Sequence, residues 1–401
     1  MNKSVCVVLH WNTDYAEIPR SELPKVVATS YDAMLSALED FEGTICCNIT
    51  GHTVEYLLKH SPKTIDTLQS LISKGTIELL GTGYSHPILP LIPPKRIEAQ
   101  IKDQLELMKK TFSSTITGFW PPELAVSSIV LSTVKKLGIE WVTIDHEHLL
   151  LTQNITNVMN PFEKRPKSST EILADAFFSS NPFATLRNYI KALRYLVRMN
   201  KSLENTLELI QFTTNDQIKA VLSSQSWWNS TRFAISKTTS LYKLSKHVKL
   251  IKQSINPLIP IYTSDIEFFG YREFGGKIPH PELLIDFLKK LQKQEIPTIS
   301  PSSVQTEEWN REPVFVGTGS WSENKSFSIW TDSEDNRELT RELQVIYNEL
   351  SNQHWNHDVM KKVEPYLRIA ENSDARGWGP IPERKLEAFT AIQTIYKELG
   401  V

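Results

Sequence analysis

The chain has 401 residues and a formal net charge of -2 at pH 7, with 40% hydrophobic and 22% charged residues. This composition is that of an ordinary folded protein, and the length exceeds what one small hydrophobic core needs. The balanced charge, without a lysine-rich or arginine-rich block, argues against nucleic acid as a partner. No apolar run reaches the roughly 18 residues that a membrane-spanning helix requires, so no membrane association is expected.

The cysteines and the first residues indicate a reducing compartment. Cys6, Cys46 and Cys47 are odd in number and two are adjacent, which is not the pattern of a disulfide framework. The apolar run in MNKSVCVVLHWN is too short for a signal peptide and is more typical of a first strand. We therefore expect a cytoplasmic protein.

The first two-thirds of the chain repeats one pattern, in which a short β-branched apolar run precedes a helical pattern. Strands that alternate with helices at this spacing predict a parallel sheet. Seven or eight such units over about 300 residues favour a barrel over an open sheet. The runs are, in order, SVCVVLHWN, GTICCNITGH, TIELLGTGYSH, TITGFWPPE, IEWVTIDHEH, the weaker EILADAFF, PLIPIYTSDIEFFG and IPTISPSS.

The pattern changes after about residue 308. Gly, Ser and Trp residues are followed by long helical patterns, with SDARGWGPIP as a loop between them. We predict a catalytic barrel over residues 1–308 and a C-terminal helical domain over 309–401. Residues 203–255 are rich in Ser, Thr and Lys, and we expect an irregular insertion there.

Polar and aromatic side chains follow one predicted strand after another. In parallel barrels the functional site lies at the carboxyl ends of the strands, where such residues would meet. One of them would mean little, but the repetition indicates a site. The residues are His10, Trp11, Asn12, Asn48, His52, Tyr84, Ser85, His86, Trp120, Glu123, Asp145, His146, Asp265 and Glu267.

Each of these residues also has a structural interpretation. A single histidine at a strand end is more often structural, Glu123 could cap the next helix, and Asp265 could bind loop amides. Asp265 and Glu267, two apart on an extended chain, would point the same way. Two neighbouring carboxyls raise each other's pKa, so one would hold its proton near neutral pH. That arrangement suits a general acid.

Tryptophans extend the pattern. The chain has 10. Although each alone is more often core, aromatic faces stack on sugar rings while carboxylates bind sugar hydroxyls. Aromatics beside paired acids on a barrel rim therefore suggest glycoside chemistry. The tryptophans beside strand ends or in Gly/Ser loops are Trp11, Trp120, Trp321, Trp330 and Trp378.

With these motifs the sequence resembles glycoside hydrolase family 57, whose members are retaining enzymes that act mainly on α-glucans. VVLHWN resembles the first family motif through its histidine only, and NITGHTVEYLL resembles the second motif region. GFWPPELAVS resembles the third motif and TSDIEFFGYR the fourth, and as an ordered pair these two are specific. GTGSWSENKSFSIW and ENSDARGWGPIP resemble C-terminal segments that reach back toward the site.

The resemblance implies an incomplete (β/α)7 barrel with a C-terminal helical domain. It also implies a nucleophile at Glu123, a general acid/base at Asp265, and an α-glucan or related oligosaccharide as substrate. We expect no cofactor, and no metal because the sequence lacks a complete set of spaced ligands. The departure at Trp11 and Asn12 leaves the subfamily and substrate open. The residues expected to bind substrate are His10, Trp11, Asn48, His52, Tyr84, Trp120, Asp145, Glu267, Trp321 and Trp378.

Two other functions stay open at this point. A metal-dependent carbohydrate deacetylase or mannosidase would need a spaced set of ligands, for which DHEH (Asp145 to His148) is the local candidate. A family member without turnover would bind a glycan or a protein partner, which the weakened first motif permits. Hydrolysis, glucan transfer and branching share one set of catalytic groups, and the oligomeric state has no signature in the sequence.

Overall fold

The structure is a computed structural model, and it places most of the chain in one α/β body. The described residues are 3–153, 211–214, 218–236, 244–254, 257–272, 278–304, 310–322, 325–352, 355–377 and 379–400.

Nine strands in the described residues form one sheet. Seven of them are parallel, in the order β8-β1-β2-β3-β4-β5-β7. Beyond β7 the sheet continues with β6, antiparallel to β7, and then β9, parallel to β6. The strands are β1 Ser4–Trp11, β2 Ile45–Ile49, β3 Ile77–Gly81, β4 Gly118–Phe119, β5 Trp141–Asp145, β6 Gln211–Thr214, β7 Lys219–Ser223, β8 Leu258–Asp265 and β9 Asn310–Val314.

The seven parallel strands curl into a nearly closed barrel, which confirms the predicted fold class. Its two ends, β7 and β8, meet through a side-chain hydrogen bond between Ser223 Oγ and Thr263 Oγ1 at 2.7 Å. Within the described residues these two strands share no backbone ladder, so the barrel is incomplete.

Helices pack around the barrel and after it. The helix predicted after β2 is divided by Pro62, which begins a new helix because proline fits a first turn but not a helix interior. The helices are α1 Leu23–Val26, α2 Ala33–Leu38, α3 Gly51–His60, α4 Pro62–Ser73, α5 Pro94–Phe112, α6 Ser128–Lys136, α7 His146–Gln153, α8 Gln225–Ser236, α9 Leu244–Gln253, α10 Glu282–Gln292, α11 Ser328–Thr331, α12 Glu334–Asn352, α13 His357–Glu371 and α14 Pro382–Leu399.

Alternation along β1 separates two hydrophobic cores. Val5, Val7 and Leu9 pack outward against the surrounding helices. Cys6 and Val8 face the barrel interior. Because successive side chains point to opposite faces of a strand, the last inward position of β1 falls on His10. Among the described residues, no helix combines the length and apolar character needed to cross a membrane.

Three predicted segments differ from the structure or lie outside its described residues. The segment 203–255, expected to be irregular, contributes strands β6 and β7 and helices α8 and α9 in its described part. IPTISPSS forms no strand; it gives one bridge, from Thr298 to Val5, and a 3-10 turn at Pro301–Ser303, because its prolines and serines do not sustain a ladder. The EILADAFF run lies outside the described residues.

The C-terminal segment is helical as expected, from α11 to α14. β9, however, lies after the expected boundary at 308/309 and belongs to the sheet. The boundary itself stays a prediction.

Candidate active site

Glu123 lies in a strained turn directly after β4. Pro121 is extended, and the 3-10 turn Pro122–Leu124 follows, in which Glu123 has φ 56° and ψ 23°. A non-glycine residue in this left-handed region costs about 1–3 kcal/mol and persists only where its surroundings hold it. The Glu123 carbonyl accepts a hydrogen bond from the Trp321 N–H at 3.3 Å. Glu123 does not cap the next helix, because the Ser127 side chain accepts from the Val130 N–H there.

The Glu123 carboxylate faces groups from three parts of the chain. The Trp321 indole N–H donates to its Oε2. The Ser373 hydroxyl lies 3.5 Å from its Oε1 and His86 Nδ1 lies 3.9 Å from the same oxygen. Burial raises the pKa of Glu123 to about 7, with smaller raising effects from Asp374 and Asp265, while His86 and the indole hydrogen bond lower it.

His86 and Asp374 form an ion pair beside Glu123. His86 follows β3 and has a φ of 60°. Its Nδ1 lies 3.3 Å from Asp374 Oδ2 and 3.0 Å from Ser373 Oγ. Burial lowers the pKa of His86, but the hydrogen bond and charge of Asp374 outweigh burial, so its pKa is raised. The Asp374 carboxylate accepts from Asn12 Nδ2 at 2.7 Å, which ties the C-terminal segment to the end of β1.

His10 completes a stack of rings along the cleft. Its ring lies 4.7 Å from that of His86 and 6.4 Å from that of Trp120, nearly parallel to the latter. His10 Nδ1 and Asn48 Oδ1 are 2.5 Å apart. Burial lowers the pKa of His10 to about 4, so it is neutral at physiological pH while its neighbour His86 favours the charged form.

Asp265 ends β8 directly beside His10 in the β1–β8 register. Arg272 Nη1 lies 3.2 Å from its Oδ2, and Arg272 Nη2 lies 3.1 Å from Glu17 Oε2. The same guanidinium covers the ring of Tyr15 at 3.9 Å. The Asp265 side chain is 24% exposed and thus borders open space.

Glu267 differs from Asp265 in both direction and surroundings. The prediction that the two point the same way is wrong, because β8 ends at Asp265 and Ile266–Phe268 turns into a 3-10 helix. Glu267 is fully buried, and accepts from the Tyr31 hydroxyl at 2.5 Å and from the Asn12 N–H at 3.3 Å. Burial, and then the charge of Asp265, raises the pKa of Glu267 to about 8. The proton-holding carboxyl of the pair is therefore Glu267.

Trp11 was expected to bind substrate, and the structure places it elsewhere. It is fully buried on the outer face of β1, with its ring 4.5 Å from that of Tyr31. Since His10 points into the cleft, its neighbour must point away from it.

Three further predicted residues have structural partners away from Glu123. His52 Nδ1 lies 2.6 Å from Asp14 Oδ2. The Tyr84 hydroxyl donates to Glu55 at 2.7 Å. Asp145 accepts from the His148 N–H at 2.7 Å, at the start of α7.

Asp145 also pairs with Lys325, whose Nζ lies 3.0 Å from its Oδ1. Within DHEH, Asp145 thus caps a helix and binds the Lys325 ammonium group, which also pairs with Glu147. Another group, His86, Glu123 and Asp374, has atoms within 4.8 Å of one another and is compact enough to hold a cation. Trp378 lies outside the described residues.

The structure thus brings His10, Asn48, Trp120, Glu123, Asp265, Glu267 and Trp321 to one end of the barrel. The sequence assigned no role to His86, although this residue follows a strand. It assigned none to Asp374 either, which lies 251 residues after Glu123 and reaches the site only through folding. Arg272 could have been identified as a site residue from the sequence, because it lies seven residues after Asp265 in the same motif.

Comparison with known proteins finds relatives for part of the chain. An alpha-amylase from Pyrococcus horikoshii is 33% identical over 122 residues, 30% of this chain and 19% of that protein. A 4-alpha-glucanotransferase from Thermococcus litoralis is 27% identical over 122 residues, 30% of this chain and 18% of that protein. The matched stretch is thus about a fifth of the length of these curated relatives.

Solved structures share the fold over nearly the whole chain. The crystal structure of the 4-alpha-glucanotransferase from Thermococcus litoralis superposes with a TM-score of 0.70 at 15% identity, covering 99% of this chain and 60% of that one. A GH57-type branching enzyme from Pyrococcus horikoshii gives a TM-score of 0.66 at 14% identity, covering 99% and 88%. At such identities the likeness shows the fold alone. The model of glycosyl hydrolase family 57 matches residues 6–314, well over half of the sequence, and the chain belongs to that family.

Proposed function

We propose that this protein is a retaining glycosidase or transglycosylase that acts on α-glycosidic bonds of an α-glucan. The observation that carries the proposal is the Glu123 carboxylate, held in a strained turn with an indole N–H and an imidazole directed at it. Strain of this kind at a strand end is typical of a group kept in place for chemistry. Relatives named alpha-amylase and 4-alpha-glucanotransferase support the substrate class.

In the first step Glu123 attacks the anomeric carbon, and the glycosidic C–O bond breaks. Asp265 donates its proton to the departing oxygen, so that the leaving sugar departs as an alcohol. A covalent glycosyl ester on Glu123 results.

In the second step Asp265 removes a proton from an incoming water or sugar hydroxyl, whose oxygen then displaces Glu123. Two displacements on one carbon return the original configuration. Water gives hydrolysis, and a sugar hydroxyl gives transfer or branching.

The surrounding groups have defined parts in this mechanism. The Trp321 indole and the charged His86 favour the ionised form of Glu123, which is the nucleophilic form. Trp120 and the neutral His10 line the site beside Glu123 with nearly parallel rings that can contact the sugar. Arg272 holds the Asp265 carboxyl in place.

The α-glucan is the proposed partner, and we place the protein in the cytoplasm. The thiols of Cys6, Cys46 and Cys47 are all free, which supports a reducing compartment. Nucleic acid remains an unexpected partner at a net charge of -2.

The test is product analysis with Glu123→Gln and a matched control. Wild-type protein, incubated with amylose, glycogen, maltoheptaose and an α-galactoside, should give products with the retained anomer by NMR. Glu123→Gln should lose turnover and keep its fold and glucan binding, because Gln keeps the side-chain shape but forms no ester. Glu98→Gln, which changes a surface glutamate paired with Lys136, should be unaffected.

Two results would count against the proposal. Full activity of Glu123→Gln would remove the nucleophile assignment. Glucan binding by the wild type without turnover of any substrate would favour the non-enzymatic alternative.

A further inference from the structure

The loop that carries Trp321 is fastened to the barrel at three points. We call residues 319–325 the indole loop; residues 323–324 lie outside the described part. Gly319 forms an antiparallel bridge with Val126, and the Trp321 N–H donates to the Glu123 carbonyl. The third point is the Lys325 ammonium group, at the far end of the loop.

Lys325 is a mostly buried cation with three oxygen partners. Its Nζ lies 3.0 Å from Asp145 Oδ1 and 3.0 Å from Glu147 Oε2, and donates to the Trp321 carbonyl at 3.1 Å. The side chain is 13% exposed, and the backbone has a φ of 55° in the left-handed region. A buried lysine needs such oxygen partners, because an uncompensated ammonium would cost several kcal/mol.

The partner Asp145 is itself rigidly placed. It ends β5, and its carboxylate accepts from the His148 N–H, which fixes it to the first turn of α7. Asp145 is almost entirely buried, while Glu147 is about half exposed. The ion pair with Asp145 therefore forms the tighter connection between the indole loop and the barrel.

We propose that Lys325 is a positioning residue, which holds the Trp321 indole N–H against Glu123 by tying the indole loop to the end of β5. The ammonium group binds the Trp321 carbonyl on one side and a strand-end carboxylate on the other, so the indole is fixed relative to the barrel. Lys325 touches neither Glu123 nor any group expected to react, and it acts only through Trp321.

The consequence for Glu123 follows from the groups that face it. These are His86 from the loop after β3, Asp374 from the C-terminal segment, Trp321 from the indole loop and Asp265 from β8. Only the contribution of Trp321 depends on Lys325. A loosened indole loop weakens one hydrogen bond that favours the ionised carboxyl, and the pKa of Glu123 rises.

The experiment compares Lys325→Met with Trp321→Phe and the double variant that joins them. In the wild-type background, Lys325→Met should move the acid limb of the pH profile of kcat/KM to higher pH by about half a unit. This shift is part of the full effect of losing the indole hydrogen bond. In the Trp321→Phe background, Lys325→Met should cause no further shift of the acid limb, because the effects of two residues that act through one bond are not additive. Lys325→Arg should keep the acid limb close to its wild-type position, since its guanidinium can keep both oxygen partners.

Two variants distinguish a specific effect on the indole from a general loss of structure. Lys325→Met with Asp145→Asn removes both buried charges together, so no buried charge is left unpaired, and should fold while showing the same upward shift. Glu147→Gln is the matched control, because Lys325 keeps Asp145 and the Trp321 carbonyl, and should leave the acid limb unchanged.

A measurement on the resting protein keeps this inference separate from the proposed function, on which its kinetic part rests. In ¹⁵N-tryptophan-labelled protein, the indole resonance of Trp321, assigned with Trp321→Phe, should shift or broaden in Lys325→Met and not in Glu147→Gln. An unchanged indole resonance, or an additive shift of the acid limb in the Trp321→Phe background, would overturn the inference. If the wild type turns over no glucan, the proposed function fails while the indole resonance still decides the role of Lys325.

Discussion

Replacing Trp321 with Phe should make the enzyme fail at mildly acidic pH and work nearly normally at alkaline pH. Trp321→Phe keeps an aromatic face in the indole loop and removes the one N–H that is donated to Glu123 Oε2. That hydrogen bond favours the charged carboxylate, so its loss raises the pKa of Glu123 above the present value of about 7.

The size of the change follows from the strength of such bonds. A hydrogen bond to a charged group contributes about 1.5–3 kcal/mol, and one pKa unit corresponds to about 1.4 kcal/mol. The carboxylate is only 17% exposed, so solvent replaces little of the lost bond, although Ser373 and His86 remain nearby. We expect a shift of about one unit, at the lower end of the range.

The assay is the pH dependence of kcat/KM, which reports ionisation of the free enzyme. At pH 6 the variant should retain about one-tenth of wild-type activity, and at pH 9 the two should nearly coincide, as titration across one pKa unit requires. Trp355→Phe is the matched control, because its indole N–H donates to the Glu349 carbonyl, outside the site.

An unchanged acid limb in Trp321→Phe, or one that moves to lower pH, would refute this reasoning. Equal loss at all pH values would show that the indole contributes by packing alone. Either result would also remove the kinetic part of the inference about Lys325.

Three further predictions follow from other groups of the site. The pKa of Glu267 is raised from 4.5 to about 8, so its contribution to stability is full below pH 4.5 and lost as the pH rises to 8. Glu267→Gln should remove this pH-dependent loss of stability. In urea unfolding, the free energy of unfolding of the variant relative to wild type should rise by about 1.4 kcal/mol per pH unit across this window. Parallel curves of unfolding free energy against pH would contradict the prediction. Asp265→Asn should slow turnover of a glucan far more than formation of the glycosyl ester from an activated aryl glycoside, and azide should give a glycosyl azide of retained configuration; equal loss on both substrates would reassign the proton donor. Exhaustive chelation should leave turnover unchanged, because His86 is held as the partner of Asp374; activity lost in chelator and restored by zinc would reverse that expectation.

The strand ends were predictable from the sequence because two local rules determine them. Apolar β-branched runs form buried parallel strands, so the strand-end positions of His10 and Asp265 follow from the chain itself, and the prolines after β4 place Glu123 just past a strand end. The same alternation that places His10 in the cleft removes Trp11 from it, and applying that rule to VVLHWN would have excluded Trp11 at the start.

The C-terminal part of the site was not predictable in this way. Asp374 reaches His86 only because α13 ends beside the barrel, where Arg96 binds Glu364 and Glu371 through paired hydrogen bonds. Such a contact joins residues more than 260 positions apart, and no local pattern records it. Trp321 could be proposed from its Gly/Ser loop, but its hydrogen bond to Glu123 required the fold.

Charge balance supports the proposal that Glu123, one carboxyl among four, is the nucleophile. Glu267 holds its proton by burial, Asp265 has Arg272 as its partner, and Asp374 has His86. Among the described residues Glu123, unlike Asp265 and Asp374, has no cation of its own, since His86 lies closer to Asp374 than to it. Its ionised form therefore leaves an unmatched negative charge facing the cleft, where positive charge develops on the sugar in an oxocarbenium-like transition state. Burial raises the pKa of Glu123 to about 7 against the lowering effects of the His86 charge and the Trp321 hydrogen bond, so these two groups influence how much of that charge is present at physiological pH.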